Sequence, residues 1–141
     1  MKRSISALAI FVLIISFFAV NSVAADKKVK TTVSKSAKVE VYYFHYTRRC
    51  VTCEAVENET QKVLKTLYAN QLKAGKIKFT SVNLDEDGSE ALAKKCKAEG
   101  QALLIVSGTK RVDLTDQAFM YARSKPAKLK EELKKAIDPL F

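Results

Sequence analysis

The chain has 141 residues, 48% of them hydrophobic, and carries 25 lysines and arginines against 15 aspartates and glutamates, a formal net charge of +10. That length fits one domain of ordinary size, large enough to bury a core without metal or several disulfides. The basic excess does not mark a nucleic-acid binder: the lysines are scattered through stretches such as "KLKEELKKA" and do not gather around aromatic residues, as a stacking platform would require.

Lys2 and Arg3 open the chain, an apolar run broken only by Ser16 follows from Ala7 to Val20, and "NSVAA" places Val23 and Ala25 at the −3 and −1 positions of a small-residue cleavage site. These three parts describe a secretory signal peptide over residues 1–25. The uncharged stretch from Ser4 to Ala25 is also long enough for an uncleaved anchor, since spanning a bilayer takes roughly 20 residues. Either reading puts the remainder on the extracytoplasmic side, which is the periplasm in a Gram-negative source. Without Lys2 and Arg3 the count is 23 basic against 15 acidic residues, or +8. A charge of that sign leaves room for attraction to anionic membrane or partner surfaces. Residues 26–38, rich in Lys, Ser and Thr, read as a flexible basic linker, and 39–141 as the domain.

"VEVYYF" (Val39 to Phe44) is β-branched and aromatic, the composition of a strand buried on both faces. From Cys53 the pattern turns helical: Cys53, Val56, Thr60, Val63, Leu64, Leu67 and Gln71 form one stripe, and Gly75 is the expected stop. "KIKFTSVNL" (Lys76 to Leu84) alternates as a second strand. A short helix is expected next, with Asp87 as N-cap, Glu90 three residues on, and Leu92 and Cys96 on one face. "QALLIVS" (Gln101 to Ser107) is a third strand. Gly108 and Thr109 make a two-residue turn into an antiparallel fourth strand, "KRVDL". A turn or two of helix over "TDQAFMYA" precedes a last helix that starts near Pro126 and lines up Leu129, Leu133 and Ile137. The order is strand, helix, strand, helix, strand, strand, helix. It predicts an α/β fold: a thioredoxin-like three-layer α/β sandwich around a central four-stranded mixed sheet.

The stretch "VYYFHYTRRCVTC" (Val41 to Cys53) carries the chemistry. A C-x-x-C beside a βαβ unit reads as a redox motif. Cys50 falls at a helix N-terminus, where orphan N–H groups and the positive end of the helix dipole favour a thiolate, the nucleophilic form. Cys53, one turn along, is placed to attack a mixed disulfide and release the partner. Arg48 and Arg49 set two permanent positive charges beside Cys50; they either favour its thiolate or are simply exposed loop arginines. His45 is either a base near the pair or a hydrogen-bonded residue at a strand end. Cys96 is either a small buried hydrophobe or a third thiol.

Three other readings of the pair stay open. One is a purely structural disulfide, although the loop it closes is too short to gain much stability. Another is a zinc site, for which three cysteines and His45 supply just four ligands. The third is a thiolate trio of Cys50, Cys53 and Cys96, suited to trivalent arsenic.

"VYYFHYTRRCVTC" and "VDLTDQAFMYARSKPAKLKEELKKAI", with the element order between them, resemble the ArsF family, thioredoxin-like proteins described as subunits of nitrophenyl-compound nitroreductases. The resemblance covers the chain from about Lys38 onward, and His45, Thr47, Arg49 and Thr52 accompany its CxxC. It implies a subunit that supports reduction of nitroaromatic, arsenic-bearing compounds. The chain departs from ordinary thioredoxins in three ways. Arg49 stands where they carry Trp, Tyr42 and Tyr43 stand on the strand that carries their buried acid, and Gly100 or Gln101 stands where they carry a cis-proline. No flavin or nicotinamide motif occurs, so the expected redox group is the Cys50–Cys53 disulfide alone. The expected partner is a membrane or extracytoplasmic redox protein.

Overall fold

The computed structural model describes Lys38–Phe141. The expected signal peptide at 1–25 and all but the last residue of the expected linker at 26–38 lie outside the described residues. Among the described residues no helix is long and apolar enough to cross a membrane.

The strands are β1 (Val39–His45), β2 (Ile77–Asn83), β3 (Ala102–Ser107) and β4 (Lys110–Asp113). The helices are α1 (Val51–Leu67), α2 (Ala69–Lys73), α3 (Ser89–Cys96), α4 (Thr115–Tyr121) and α5 (Pro126–Ile137), and the chain closes on a 3-10 turn, Asp138–Leu140. The sheet order is β2-β1-β3-β4. β1 runs parallel to β2 and antiparallel to β3, and β3 runs antiparallel to β4. This is the four-stranded mixed sheet of a thioredoxin-like α/β sandwich.

Side chains alternate across a strand, so β1 feeds two cores. Val39, Val41 and Tyr43 join Ile77, Leu103 and Ile105 against α1, α4 and α5. Tyr42 and Phe44 join Val82, Ala102 and Leu104 against α3 on the other face. The two clusters give the sandwich its three layers. α5 carries the clearest sequence signal, and Leu129, Leu133 and Ile137 are all fully buried.

The turn between β3 and β4 forms as expected, with Gly108 at φ +59° and Ser107 paired to Lys110. Two expectations need correction. The helix after Cys53 does not run unbroken to Gly75. It breaks at Tyr68, at φ −124° and ψ 27°, and resumes as α2. Tyr68 turns into the core at that point, and its hydroxyl donates to the Asp138 carboxylate. Asp87 does not cap α3: the N-cap is Gly88 at φ +84°, with no side-chain capping bond. Glycine takes that backbone geometry without steric cost. Ser89 then buries its hydroxyl as a donor to the Leu84 carbonyl, 3.1 Å away.

Leu133→Ala would empty a fully buried site between α5 and the sheet. It is expected to cost about 2–5 kcal/mol of stability, measured by urea unfolding followed by far-UV circular dichroism. A loss below about 1 kcal/mol, less than the usual cost of emptying a packed site, would contradict the packing described.

Candidate functional site

The site lies where β1 hands over to α1. Backbone pairing carries β1 to His45, whose carbonyl accepts from the Leu84 N–H at 2.7 Å. The loop that follows is tied to the segment after β2. The Thr47 N–H donates to Asp85 Oδ2 at 2.7 Å, and Asn83 Nδ2 donates to Thr47 Oγ1 at 2.9 Å. Cys50 is extended, at φ −94° and ψ 160°, and is the N-cap of α1. Its sulfur accepts the Cys53 N–H at 3.1 Å, and its carbonyl accepts the Glu54 N–H at 3.1 Å. A sulfur thus stands where a helix start usually places a Ser or Asp oxygen.

Cys50 and Cys53 form a disulfide, with Cα atoms 5.0 Å apart, inside the ordinary range for a bridge. The two sulfur-bearing residues differ in access. Cys50 is exposed, whereas Cys53 is only 3% exposed. An incoming thiol or disulfide therefore meets Cys50, and Cys53 stands behind it. This CxxC pair at a helix start is the geometry of a thiol–disulfide redox protein in general terms.

Beneath the pair sits a small polar cluster. The carbonyl oxygen of Cys53 accepts from Tyr43 Oη at 2.9 Å and from Arg49 Nη2 at 3.3 Å. The Arg49 guanidinium also lies over the Tyr43 ring at 5.6 Å and pairs with Glu57 through Nη1 at 2.5 Å. Burial alone would push the Glu57 carboxyl up, but hydrogen bonds from Ser81 and Arg49 and the Arg49 charge outweigh it and leave the group below its usual value. Burial lowers the Arg49 guanidinium, and Glu57 and Tyr43 together more than reverse this. Burial pushes the Tyr43 hydroxyl up, against the opposing pull of Arg49. Arg49 is thus a neutralised clamp on the first turn of α1, while Arg48 stays exposed.

The other residues singled out in the sequence fall in different places. His45 is half-buried at the end of β1, its Nδ1 3.0 Å from the Tyr46 carbonyl and its ring stacked on Tyr43. Cys96 is buried in the α3-side core with Tyr42 and Phe44, across the sheet from the α1 layer. Burial pushes its thiol up, and Glu40 adds to this against the pull of Lys95 and Arg111. The three thiols are therefore not gathered, and among the described residues no three His, Cys, Asp or Glu side chains are grouped to hold a metal ion.

Three residues of the site have contacts that the sequence does not show. Tyr43 belongs to the core strand and stands on the strand where ordinary thioredoxins carry a buried acid, but nothing in the sequence shows its hydroxyl on the Cys53 carbonyl. Glu57 had a local signal that went unused: it lies four residues after Cys53, one turn along the same helix. Gln101, one of two candidates for the position where ordinary thioredoxins carry a cis-proline, has no local signal tying its side chain to Cys53. It immediately precedes β3, 48 residues from Cys53, and its Oε1 lies 3.2 Å from Cys53 Sγ. It also lines an open groove of about 610 Å³ together with Lys97, Glu99, Arg111, Asp113 and Asp116.

No family model and no curated protein matches this sequence. Among solved structures it is similar to one described as "Structure of a malarial protein", at 23% identity over 68% of this chain and 98% of that one, with a TM-score of 0.42. A likeness that distant carries no functional argument, and the fold stands on the strand order above.

The Glu57 carboxyl has a lowered pKa in the folded protein and returns to its ordinary value on unfolding. Its pairing therefore stabilises the fold above the ordinary glutamate range and loses that effect as pH falls through the lowered value. Glu57→Gln is expected to cost about 1–3 kcal/mol at pH 7, where it leaves Arg49 without its partner. The deficit should shrink progressively in acid, as measured by urea unfolding at a series of pH values. A deficit that is the same at pH 7 and pH 3 would show that the pair is not what the substitution disturbs.

Proposed function

We propose that the chain is an extracytoplasmic dithiol–disulfide electron carrier, in which Cys50 is the attacking residue and Cys53 the resolving one. The observation that carries this reading is the asymmetry of the pair. Cys50 is exposed at a helix N-cap and its sulfur receives the Cys53 N–H, while Cys53 is buried behind it. A backbone N–H aimed at sulfur and the positive end of α1 both favour a thiolate at Cys50. Arg48 and Arg49 add positive charge at the same end; that of Arg49 is shared with Glu57.

The reaction balances without any further redox group. The Cys50 thiolate attacks a partner disulfide, forms a Cys50–sulfur bond and expels one partner thiolate. Cys53 gives up its proton, attacks the Cys50 sulfur and expels the second. Two electrons pass from the dithiol to the partner disulfide, and the reverse sequence reloads the dithiol from a membrane or extracytoplasmic redox protein. Export through a signal peptide at 1–25 would set this cycle in the periplasm of a Gram-negative source.

The finer reading comes from the resemblance to the ArsF family: the carrier serves a reductase of nitroaromatic, arsenic-bearing compounds. Here the substrate chemistry belongs to a partner subunit, and this chain supplies electrons. The thiolate-trio alternative is less well supported, because Cys96 packs in the α3-side core and, among the described residues, no three Cys, His, Asp or Glu side chains are grouped to hold an ion.

The test is reduction of a model disulfide by the pre-reduced protein. Cys50→Ser is expected to abolish it. Cys53→Ser should stop after the first step and accumulate a mixed disulfide on Cys50, visible by mass spectrometry. Cys96→Ser should retain exchange within about threefold of wild type, since it removes only a small buried side chain. If wild type exchanges no disulfide, yet binds arsenite in a way that Cys96→Ser destroys, the metalloid reading replaces this one.

A further inference from the structure

The resolving step asks the most of the least accessible sulfur. Cys53 must lose a proton before it attacks, yet it is only 3% exposed, and burial opposes a thiolate. The charged groups nearby are committed elsewhere. Glu57 is held by Arg49 and Ser81. Arg49 Nη2 and Tyr43 Oη donate to the Cys53 carbonyl rather than to its sulfur, and His45 faces the Tyr46 carbonyl. Among the described residues, the one polar side-chain group at hydrogen-bond distance from Cys53 Sγ is the Gln101 amide, at 3.2 Å.

While Cys53 is bonded to Cys50 its sulfur carries no hydrogen, so Oε1 and Sγ are simply in contact. Reduction changes that. A glutamine amide carries an acceptor and a donor on one rotor. A Cys53 thiol can donate to Oε1, and half a turn of the amide brings Nε2–H to a Cys53 thiolate. The bond to the charged form is roughly twice as strong as the bond to the neutral one. The net effect of Gln101 is therefore to favour the thiolate. Its place is fixed by the sheet: it immediately precedes Ala102, which pairs with Phe44 beside the end of β1.

We infer that Gln101 is a catalytic residue of the resolving half-reaction, turning its amide to donate to Cys53 Sγ as that sulfur loses its proton. The inference rests on the electron-carrier reading above. In the step concerned, the Cys53 thiol releases its proton to water, a Cys53–Cys50 sulfur bond forms and the Cys50–partner sulfur bond breaks. The departing partner thiolate takes a proton from water. The dithiol is oxidised by two electrons and the partner disulfide is reduced to two thiols. Gln101 plays no part in the first displacement.

The experiment mixes the pre-reduced full chain rapidly with dithiobis(nitrobenzoate), whose two coloured thiolates leave one per displacement and so report the two steps separately. Gln101→Met keeps the side-chain length but has no N–H donor. The first phase should be unchanged and the second slowed about three- to tenfold at pH 7. The lost charge-assisted bond lowers the thiolate fraction, and the higher nucleophilicity of a higher-pKa thiolate returns part of the rate. The pH midpoint of the second phase should rise by about one unit. Gln101→Lys, a donor without an acceptor, should keep a fast second phase with a midpoint at or below that of wild type. A side chain needed only to fill space would give the opposite order, with Met tolerated and Lys harmful, and that result would overturn the inference. So would an unchanged second phase in Gln101→Met, or equal slowing of both phases. A wild type that releases no thiolate would overturn the electron-carrier reading and this inference together, whereas normal two-phase release in both wild type and Gln101→Met would overturn only the latter.

Discussion

The geometry of this site depends on one oxygen atom, the carbonyl of Cys53. Two donors from outside the helix converge on it, Tyr43 Oη from the centre of the sheet and Arg49 Nη2 from the loop. Together they fasten the first turn of α1 to the end of β1. Everything chemical follows from that attachment. It leaves Cys50 as the N-cap with its sulfur outward, puts the Cys53 N–H on that sulfur, and turns the Cys53 sulfur inward toward Gln101. A helix start free to shift by a fraction of a turn would lose the difference in access that gives the two cysteines different roles.

The same attachment explains the paired arginines. Read along the chain, Arg48 and Arg49 look equivalent, both adjacent to a nucleophilic cysteine. In the fold they diverge. Arg49 folds under the loop onto Tyr43 and Glu57, where it holds the turn in place and its charge is balanced. Arg48 remains at the surface. A guanidinium suits the first task because its planar fork reaches Glu57 and the Cys53 carbonyl at once while stacking on an aromatic ring. A lysine could do only one of the three.

Much of this architecture was legible residue by residue. The β-branched and aromatic run of β1, the start of α1 at the cysteine pair, the glycine turn between β3 and β4, and the Leu129–Leu133–Ile137 stripe each carry a local signal that survives tertiary packing. What stayed hidden is non-local. The break at Tyr68 is set by a partner 70 residues away, Asp138, and the contact of Gln101 with Cys53 by the register of β3 on β1. Cys96 was correctly placed on the apolar face of its helix. Which side of the sheet that helix covers follows only from topology, and that decides whether Cys96 can reach the pair. The capping error at Asp87 has a simpler origin: a plausible side-chain cap lost to a glycine one residue later.

Electron transfer by this chain requires that the Cys50–Cys53 bond be made to be broken. The most direct measurement is its reduction potential, obtained by equilibrating the protein in graded thiol–disulfide buffers and counting free thiols by alkylation and mass. A bond that cycles should titrate above about −300 mV, within reach of partner proteins, and the exposed Cys50 and the donors around the pair favour that outcome. A potential below about −300 mV, the range of structural disulfides, would mean that the bridge is a staple and that the chain carries no electrons.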